Sequence, residues 1–534
     1  MISTSRKKLY IFGSLAILIG AFVVAVLAYS EIWVKNSKIV PNLGLSADEI
    51  GANYSYFYLY MPQNENPDLP CDYNSYCFGD DNLWFFLPEN IDTRTSVIYA
   101  IDEAGNVLGR FEDSLEGNLT FGSYTVRKQV ANLPVMYITL EDHWLYDQML
   151  ETLDKSIVCY GDMKLYVDPQ KAKENGWYSE YLSREGDFSQ SSTMSIRGRG
   201  NHSWSDGDKK SFTMELEKSE DLLGMGSSKK WNLIGSCFDK TLLKNVTFNE
   251  IAANVGIEYE PKMEAIDLYI DGEYRGVYYI TTKLTVSKET IDLKKGDYLY
   301  CLDRPEPDVA IPYESKFWFD DGNGSPTADI VYPSKPSSSE IEEGQEILQR
   351  FIDALETADS DEFLKYTDLD SMVAYYWVEE LSMNFDGWGR SLYIWYDHTD
   401  GKMHFGPIWD MDTALGSPYD KAGMWFSEPE GWRMRNAGIY EAMFIHPEFV
   451  EAANEAYLNG GISEAFRDGI DIFYKYKEAL GYDAELNYLM FGQEFGTVTL
   501  RYDGADHYDT FCDSMIDFYR QRLEWMDEEL QKGA

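Results

Sequence analysis

The run Asn384-Phe-Asp386, Ser391-Leu-Tyr-Ile-Trp-Tyr396, Asp400-Gly401 and Met403-His-Phe-Gly-Pro-Ile-Trp-Asp410-Met-Asp412-Thr-Ala-Leu-Gly416 decides how this chain is read. Apolar and aromatic segments flank Asp400-Gly401, and an Asp-Gly pair in that setting predicts a β-hairpin. Three carboxylates, Asp386, Asp410 and Asp412, then stand at the ends of the hairpin. Hard divalent cations take oxygen ligands of this kind. Asp386 precedes Asp410 by 24 residues. In phosphoryl transfer one such acid orients an acceptor hydroxyl while another holds Mg²⁺. Asp-x-Asp is also a common string, and a calcium-stabilised or merely solvated acidic turn is the alternative.

Upstream lies a basic constellation. Ser195-Ile-Arg197-Gly-Arg199-Gly-Asn201-His-Ser-Trp204 is a glycine-containing turn, and Lys209-Lys210-Ser-Phe-Thr-Met-Glu-Leu216 reads as a strand led by two lysines. Glycines let backbone N–H groups approach phosphate oxygens, and a strand lysine can neutralise them. A solvated hairpin with basic edges accounts for the same residues. Gly224-Met-Gly-Ser-Ser-Lys229 lacks the Gly-Lys-Ser/Thr ending of a phosphate loop. Asp320-Asp-Gly-Asn-Gly324 lacks the closing Glu of a calcium loop. Core packing explains most of the 14 tryptophans, which otherwise suggest a carbohydrate surface.

The 534-residue chain carries 91 Asp+Glu against 46 Lys+Arg, a formal net charge of -45. Nucleic acid is excluded as a partner, because its phosphates need cations. An aromatic fraction of 15% excludes a disordered acidic chain. Residues 1–35 differ: Arg6, Lys7 and Lys8 precede an uncharged stretch from Leu9 to Tyr29. At about 1.5 Å per residue that stretch spans roughly 30 Å, one hydrocarbon core. The basic side stays inside, which exports the acidic bulk. The stretch is long for a cleaved signal peptide, although Val26-Leu27-Ala28 resembles a cleavage site, so a transmembrane signal anchor is the expectation. Cys71 and Cys77 are placed for a small loop disulfide. Cys159, Cys237, Cys301 and Cys512 lack metal-site spacing and read as buried thiols.

The pattern divides the chain into the anchor (1–35), a linker with a β-rich, sandwich-like domain (36–130), an α+β region (131–300), a loop-rich connection (301–339) and a mostly helical region (340–534). Ser96–Ile101 and Val107–Phe111 predict one hairpin. Ala265 to Ile280 predicts another, with Asp271-Gly272 as its turn. Lys240 to Val255 carries apolar residues at helical spacing.

The chain from about Leu133 to Leu530 resembles the spore-coat-protein-H-like (CotH-like) kinase family. The matching pieces, in family order, begin with Leu133-Pro-Val-Met-Tyr-Ile138, Arg197-Gly-Arg-Gly-Asn201, Lys209-Lys-Ser-Phe212 and Leu223-Gly-Met-Gly-Ser-Ser-Lys-Lys-Trp-Asn-Leu233. They continue with Asp239-Lys-Thr-Leu-Leu-Lys-Asn245, Tyr269-Ile-Asp-Gly-Glu-Tyr-Arg-Gly-Val-Tyr278, Asn384-Phe-Asp386, Trp409-Asp-Met-Asp412 and Tyr519-Arg-Gln-Arg-Leu-Glu-Trp525. The resemblance implies an atypical, bilobed protein-kinase-like fold that binds ATP and Mg²⁺ and phosphorylates protein Ser or Thr. It makes Asp386 the catalytic-loop aspartate and Asp410 the metal-binding aspartate, with Asp412 beside it. Lys210, or its neighbour Lys209, becomes the phosphate-contacting lysine, and Arg197, Arg199 and Asn201 belong to the nucleotide loop. Three positions depart from the family: Ser391 replaces an Asn that ligates the second metal, Lys244 an Arg, and Thr282 a Glu. A Ser hydroxyl ligates Mg²⁺ more weakly than Asn.

The expectation is an α+β, Mg-ATP-dependent phosphotransferase on the outer side of the cell membrane. A catalytically impaired relative that assembles a cell surface or spore coat is the first alternative. A cell-wall glycan binder is the second.

Overall fold

The computed structural model describes residues 133–533 apart from 168–188, 208, 285, 289, 303–307, 318–325, 385, 389–390, 417–427, 437 and 492–507; before residue 133 it describes only strands between 56 and 130. The expected anchor, the linker to residue 50 and Cys71 lie outside the described residues. No helix among the described residues is long and apolar enough to cross a membrane. The chain divides into two compact units, Met1–Val130 and Ala131–Ala534.

The first unit holds β1 (Tyr56–Tyr60), β2 (Asp72–Asn74), β3 (Tyr76–Cys77), β4 (Asn82–Leu87), β5 (Ser96–Ile101), β6 (Val107–Asp113), β7 (Leu119–Phe121) and β8 (Tyr124–Val130). They form two four-stranded sheets, ordered β2-β1-β5-β6 and β3-β4-β8-β7. The expected hairpin is present as β5 and β6, with Ile101 opposite Val107.

The second unit begins with β9 (Val135–Leu140), α1 (His143–Thr152), β10 (Cys159–Tyr166), β11 (Gln190–Arg199), the single-turn α2 (His202–Ser205), β12 (Ser211–Asp221) and β13 (Ser227–Ile234). Then come α3 (Lys244–Asn254), β14 (Met263–Ile270) and β15 (Glu273–Thr282). The seven strands close into a barrel, β10-β11-β12-β13-β15-β14-β9, whose one parallel pair joins β9 to β14. Side chains alternate along a strand. Ile266, Leu268 and Ile270 therefore fill the barrel with Met194, Phe212 and Met214, while Ala265 joins a second core. In β15, Tyr278 and Ile280 face the first core and Val277 and Tyr279 the second. These two strands are buried on both faces, which is why apolar and aromatic residues stand on both sides of each, with Glu264 and Asp267 buried among them.

The rest of the unit is β16 (Tyr298–Leu302), β17 (Ala310–Pro312), β18 (Thr327–Tyr332), α4 (Ser338–Leu355), α5 (Ser360–Tyr366), α6 (Leu369–Ser382), β19 (Leu392–Asp397), β20 (Lys402–Phe405), α7 (Gly438–Met443), α8 (Pro447–Leu458), α9 (Ile462–Phe491) and α10 (Tyr508–Gly533). The fold is α+β. β19 and β20 form the expected hairpin, and they complete an open sheet ordered β17-β18-β16-β19-β20. β17 and β18 fall in the stretch expected to be loop. The Pro, Ser and Asp around them mask two short apolar runs, and buried Asp329 joins the segments by accepting from the Val309 amide at 2.7 Å. A kink at Gly481 in α9 (φ 54°) lies beside Asp483 and Asn487, which accept from the barrel amides Leu133 (3.0 Å) and Val277 (3.1 Å). Cys159, Cys237, Cys301 and Cys512 are buried free thiols, as read from the sequence.

Candidate active site

Asp410 caps, and Asp412 lies within, a single 3-10 turn, Met411–Thr413, that three elements hold in place. From the start of α3, Asn245 Oδ1 accepts the Met411 amide at 2.9 Å and the Lys244 ammonium donates to Ala414 O at 2.6 Å. From the end of α6, Ser382 O accepts the Leu415 amide at 2.8 Å and Asn384 Oδ1 accepts the Thr413 hydroxyl at 2.7 Å. From the start of β19, the Ser391 hydroxyl donates to Asp410 Oδ2 at 3.1 Å. The turn leaves Asp410 in the left-handed region, φ 57° and ψ 51°. α3 is itself fixed where it begins, because buried Asp239 accepts the Lys244 amide at 2.9 Å and the Thr241 amide at 3.0 Å.

Both carboxylates line one cleft with Arg199 and Ser211 of the barrel, Ser236 and Cys237 beyond β13, and Asn245. The Arg199 guanidinium lies 5.5 Å from the centre of the Trp409 ring, another lining residue. Burial raises the Asp410 carboxyl, against the opposing pull of Arg199 and the Ser391 hydroxyl. Burial raises Asp412 to about 8, and the negative charges of Asp410, Asp386 and Asp239 add to the shift; Lys244 pulls it down. Desolvation plus like charge disfavours the ionised forms. This is a site short of positive charge, and its oxygen donors fit a hard divalent cation.

Asp386 starts another 3-10 turn, Asp386–Trp388, and its charge reaches Asp412. Asp386, Asp410, Asp412 and Ser391 thus share one acidic region. The cations are distributed differently. Lys209 is buried; its ammonium donates to Val277 O and to Asn487 Oδ1 (2.6 Å) and sits 4.6 Å from the Tyr278 ring centre. Burial holds it well below the usual lysine range. Lys210 donates to Trp204 O at 2.5 Å. Arg197 is exposed, and Asn201 accepts from Lys155 at 3.2 Å. Of the basic residues named from the sequence, Arg199 is the one that lines the cleft.

The family model described as CotH kinase protein matches residues 196–526, more than half of the chain. The chain belongs to the CotH kinase family. The match spans the cleft from Arg199 to Asp412. No curated protein matches the chain. Sequence reading gave no role to two residues of this CotH kinase family site. Lys244 and Asn245 lie inside a matching piece, yet their partners are 170 and 166 residues away. Trp409, Ser236 and Cys237 likewise come into view only as cleft walls. At the hairpin tip, Asp397, Asp400 and His404, and Asp297, Asp397 and His398, cluster closely enough to hold a metal. Their atoms already bond one another and turn amides, as in His398–Asp297 (2.6 Å) and His404–Asp400 (3.1 Å), which is the pattern of a capped hairpin.

Proposed function

We propose that residues 131–534 form a bilobed, atypical protein-kinase-like unit that transfers phosphate from Mg-ATP to protein Ser or Thr hydroxyls. The observation that carries this reading is the cleft that two desolvated aspartates line with Arg199, with the Asp386 charge acting on Asp412. Asp410 and Asp412 would hold the cation, aided by Ser391. Arg199 would face the phosphates, with Lys244 behind Asp412. Mg-ATP, when bound, supplies the transferable phosphoryl group and neutralises its developing charge. Asp386 would orient the acceptor hydroxyl and hold its proton; the group that Mg-ATP would supply is the terminal phosphoryl, with ADP as the leaving group. Positioning and charge account for most catalysis of this type.

The test is a Mg-ATP thermal-shift titration with a transfer assay on wild type, Asp386→Ala and Asp410→Asn. Asp386→Ala is expected to abolish transfer while binding Mg-ATP normally, and Asp410→Asn to lose both. Asn tolerates the left-handed backbone at position 410, so that variant isolates the ligand from the turn. Full activity of Asp386→Ala would refute the assignment.

One observation favours a catalytically impaired, surface-assembling relative. Ser391 stands where the family has Asn, and its hydroxyl is already committed to Asp410. Mg-ATP binding without transfer to any acceptor would support that reading. For location we propose the outer face of the cell membrane, on the strength of Arg6, Lys7, Lys8 and the apolar run after them. Protease accessibility of the 131–534 unit in intact cells tests it.

A further inference from the structure

We propose that Glu379 is a positioning residue whose buried carboxyl sets the Asp386 turn by packing against Gly387 and ties it to the Asp410–Asp412 turn through Asn384. The proposal rests on the phosphotransferase reading above. Glu379 lies on α6 and is 1% exposed. Its Oε2 has no hydrogen-bond partner among the described residues. A Cβ at Gly387 would lie 2.0 Å from that oxygen and 2.6 Å from the carboxyl carbon, so one Gly387 Cα hydrogen points straight at the carboxyl. Such a Cα–H···O contact is weak, but it fixes a distance. Across the turn, the Tyr440 hydroxyl donates to Gly387 O at 2.9 Å. The residue after Asp386 is therefore gripped on both sides.

The side chains of Asn384 and Tyr375 lie close enough to the carboxyl to pull its pKa down against burial. Asn384 in turn accepts from Thr413 at 2.7 Å, one residue past Asp412. One carboxyl thus touches the turn that carries Asp386 and is one side chain removed from the turn that carries the metal-binding acids. The next residue on the helix shows what a purely structural acid looks like here. Glu380 pairs with buried Arg522 at 2.7 Å and accepts from the amides of Arg433, Met434 and Arg435. Among the described residues Glu379 has no such cation, and a buried carboxyl oxygen without a hydrogen bond is costly. Desolvation, with the nearby Asp386 charge, raises its carboxyl to about 8, consistent with a neutral group that does not repel Asp386.

The experiment is a double-mutant cycle in the full chain, read by amide hydrogen exchange over residues 384–388 and 411–413 and by Mg-ATP-dependent transfer. Glu379→Ala should raise exchange in both segments and lower kcat by about tenfold or more, with KM for ATP within about twofold. Glu379→Gln, which keeps shape and packing, should stay within about threefold of wild type. Gly387→Ala should match the loss by driving its methyl into the carboxyl, and Glu379→Ala in the same chain should recover much of it by vacating that space. Wild-type exchange and kcat in Glu379→Ala, or a double mutant worse than both singles, overturns the proposal. A wild-type chain that neither binds Mg-ATP nor transfers phosphate sinks the phosphotransferase reading instead, and the exchange data still decide the role of Glu379.

Discussion

Individual side chains here act mainly through what surrounds them. Glu379 has a folded-state pKa raised to about 8, while an unfolded Glu titrates near 4.3. A raised acid stabilises the fold fully below the unfolded value, and that contribution is lost as pH climbs through the folded one. Replacing it by Gln removes the titration. Urea unfolding of wild type and Glu379→Gln should therefore agree near pH 4 and diverge in favour of Gln up to pH 8.5, by at most about 5 kcal/mol. The basic residues separate by the same logic. Arg199→Ala is expected to weaken Mg-ATP about tenfold in a calorimetric titration while leaving the melting temperature near wild type, since the side chain lines an open cleft. Lys209→Ala should do the reverse, costing about 2–4 kcal/mol of stability with little direct effect on affinity, because its ammonium is buried on Val277 and Asn487. A sequence shows two adjacent lysines before a strand; which of them turns inward depends on parity that neighbouring residues alone do not set.

At the level of elements, local chemistry was the readable part. The β19–β20 and β14–β15 hairpins follow from Asp-Gly pairs, which take positive φ with little strain where the turn needs it: Asp271 and Gly272 sit at φ 50° and 82°, and Gly401 at 76°. α3 follows from its apolar spacing, and Asp386, Asp410 and Asp412 follow from the hairpin they bracket. What stayed hidden was non-local. The start of α3 buttresses the Met411–Thr413 turn from more than 160 residues away, and no spacing rule announces such a contact. Its importance is measurable. Asn245→Ala strands the Met411 amide, which should cost about 1–3 kcal/mol in chemical denaturation. It should also weaken Mg-ATP, because the two acids lose their registration. Thr281→Ser, on buried β15, controls for a conservative change in the same unit. β17 and β18 were hidden for another reason: short strands amid turn-forming residues carry too few positions for a period to show.

At the scale of the molecule, residues 131–534 hold both hydrophobic cores and every residue of the cleft. This unit, expressed without the first 130 residues, should unfold in one cooperative transition and bind Mg-ATP as the full chain does; loss of binding would assign the first unit a part in the site. The closed barrel has a consequence for how a polypeptide acceptor of the proposed kind would be gripped. A closed barrel has no unpaired rim onto which an extended peptide can add itself by main-chain pairing. Among the described residues the open sheet has two such rims, and both are plugged. Along β20, the Asp368 amide occupies Met403 O and the Ser371 hydroxyl accepts from Phe405; at β17, Pro312 has no N–H to offer and its carbonyl is taken by Gln345. If the proposed function holds, the described residues leave a polypeptide acceptor to side-chain recognition, so its selectivity should follow the chemistry of residues near the acceptor hydroxyl rather than a backbone shape.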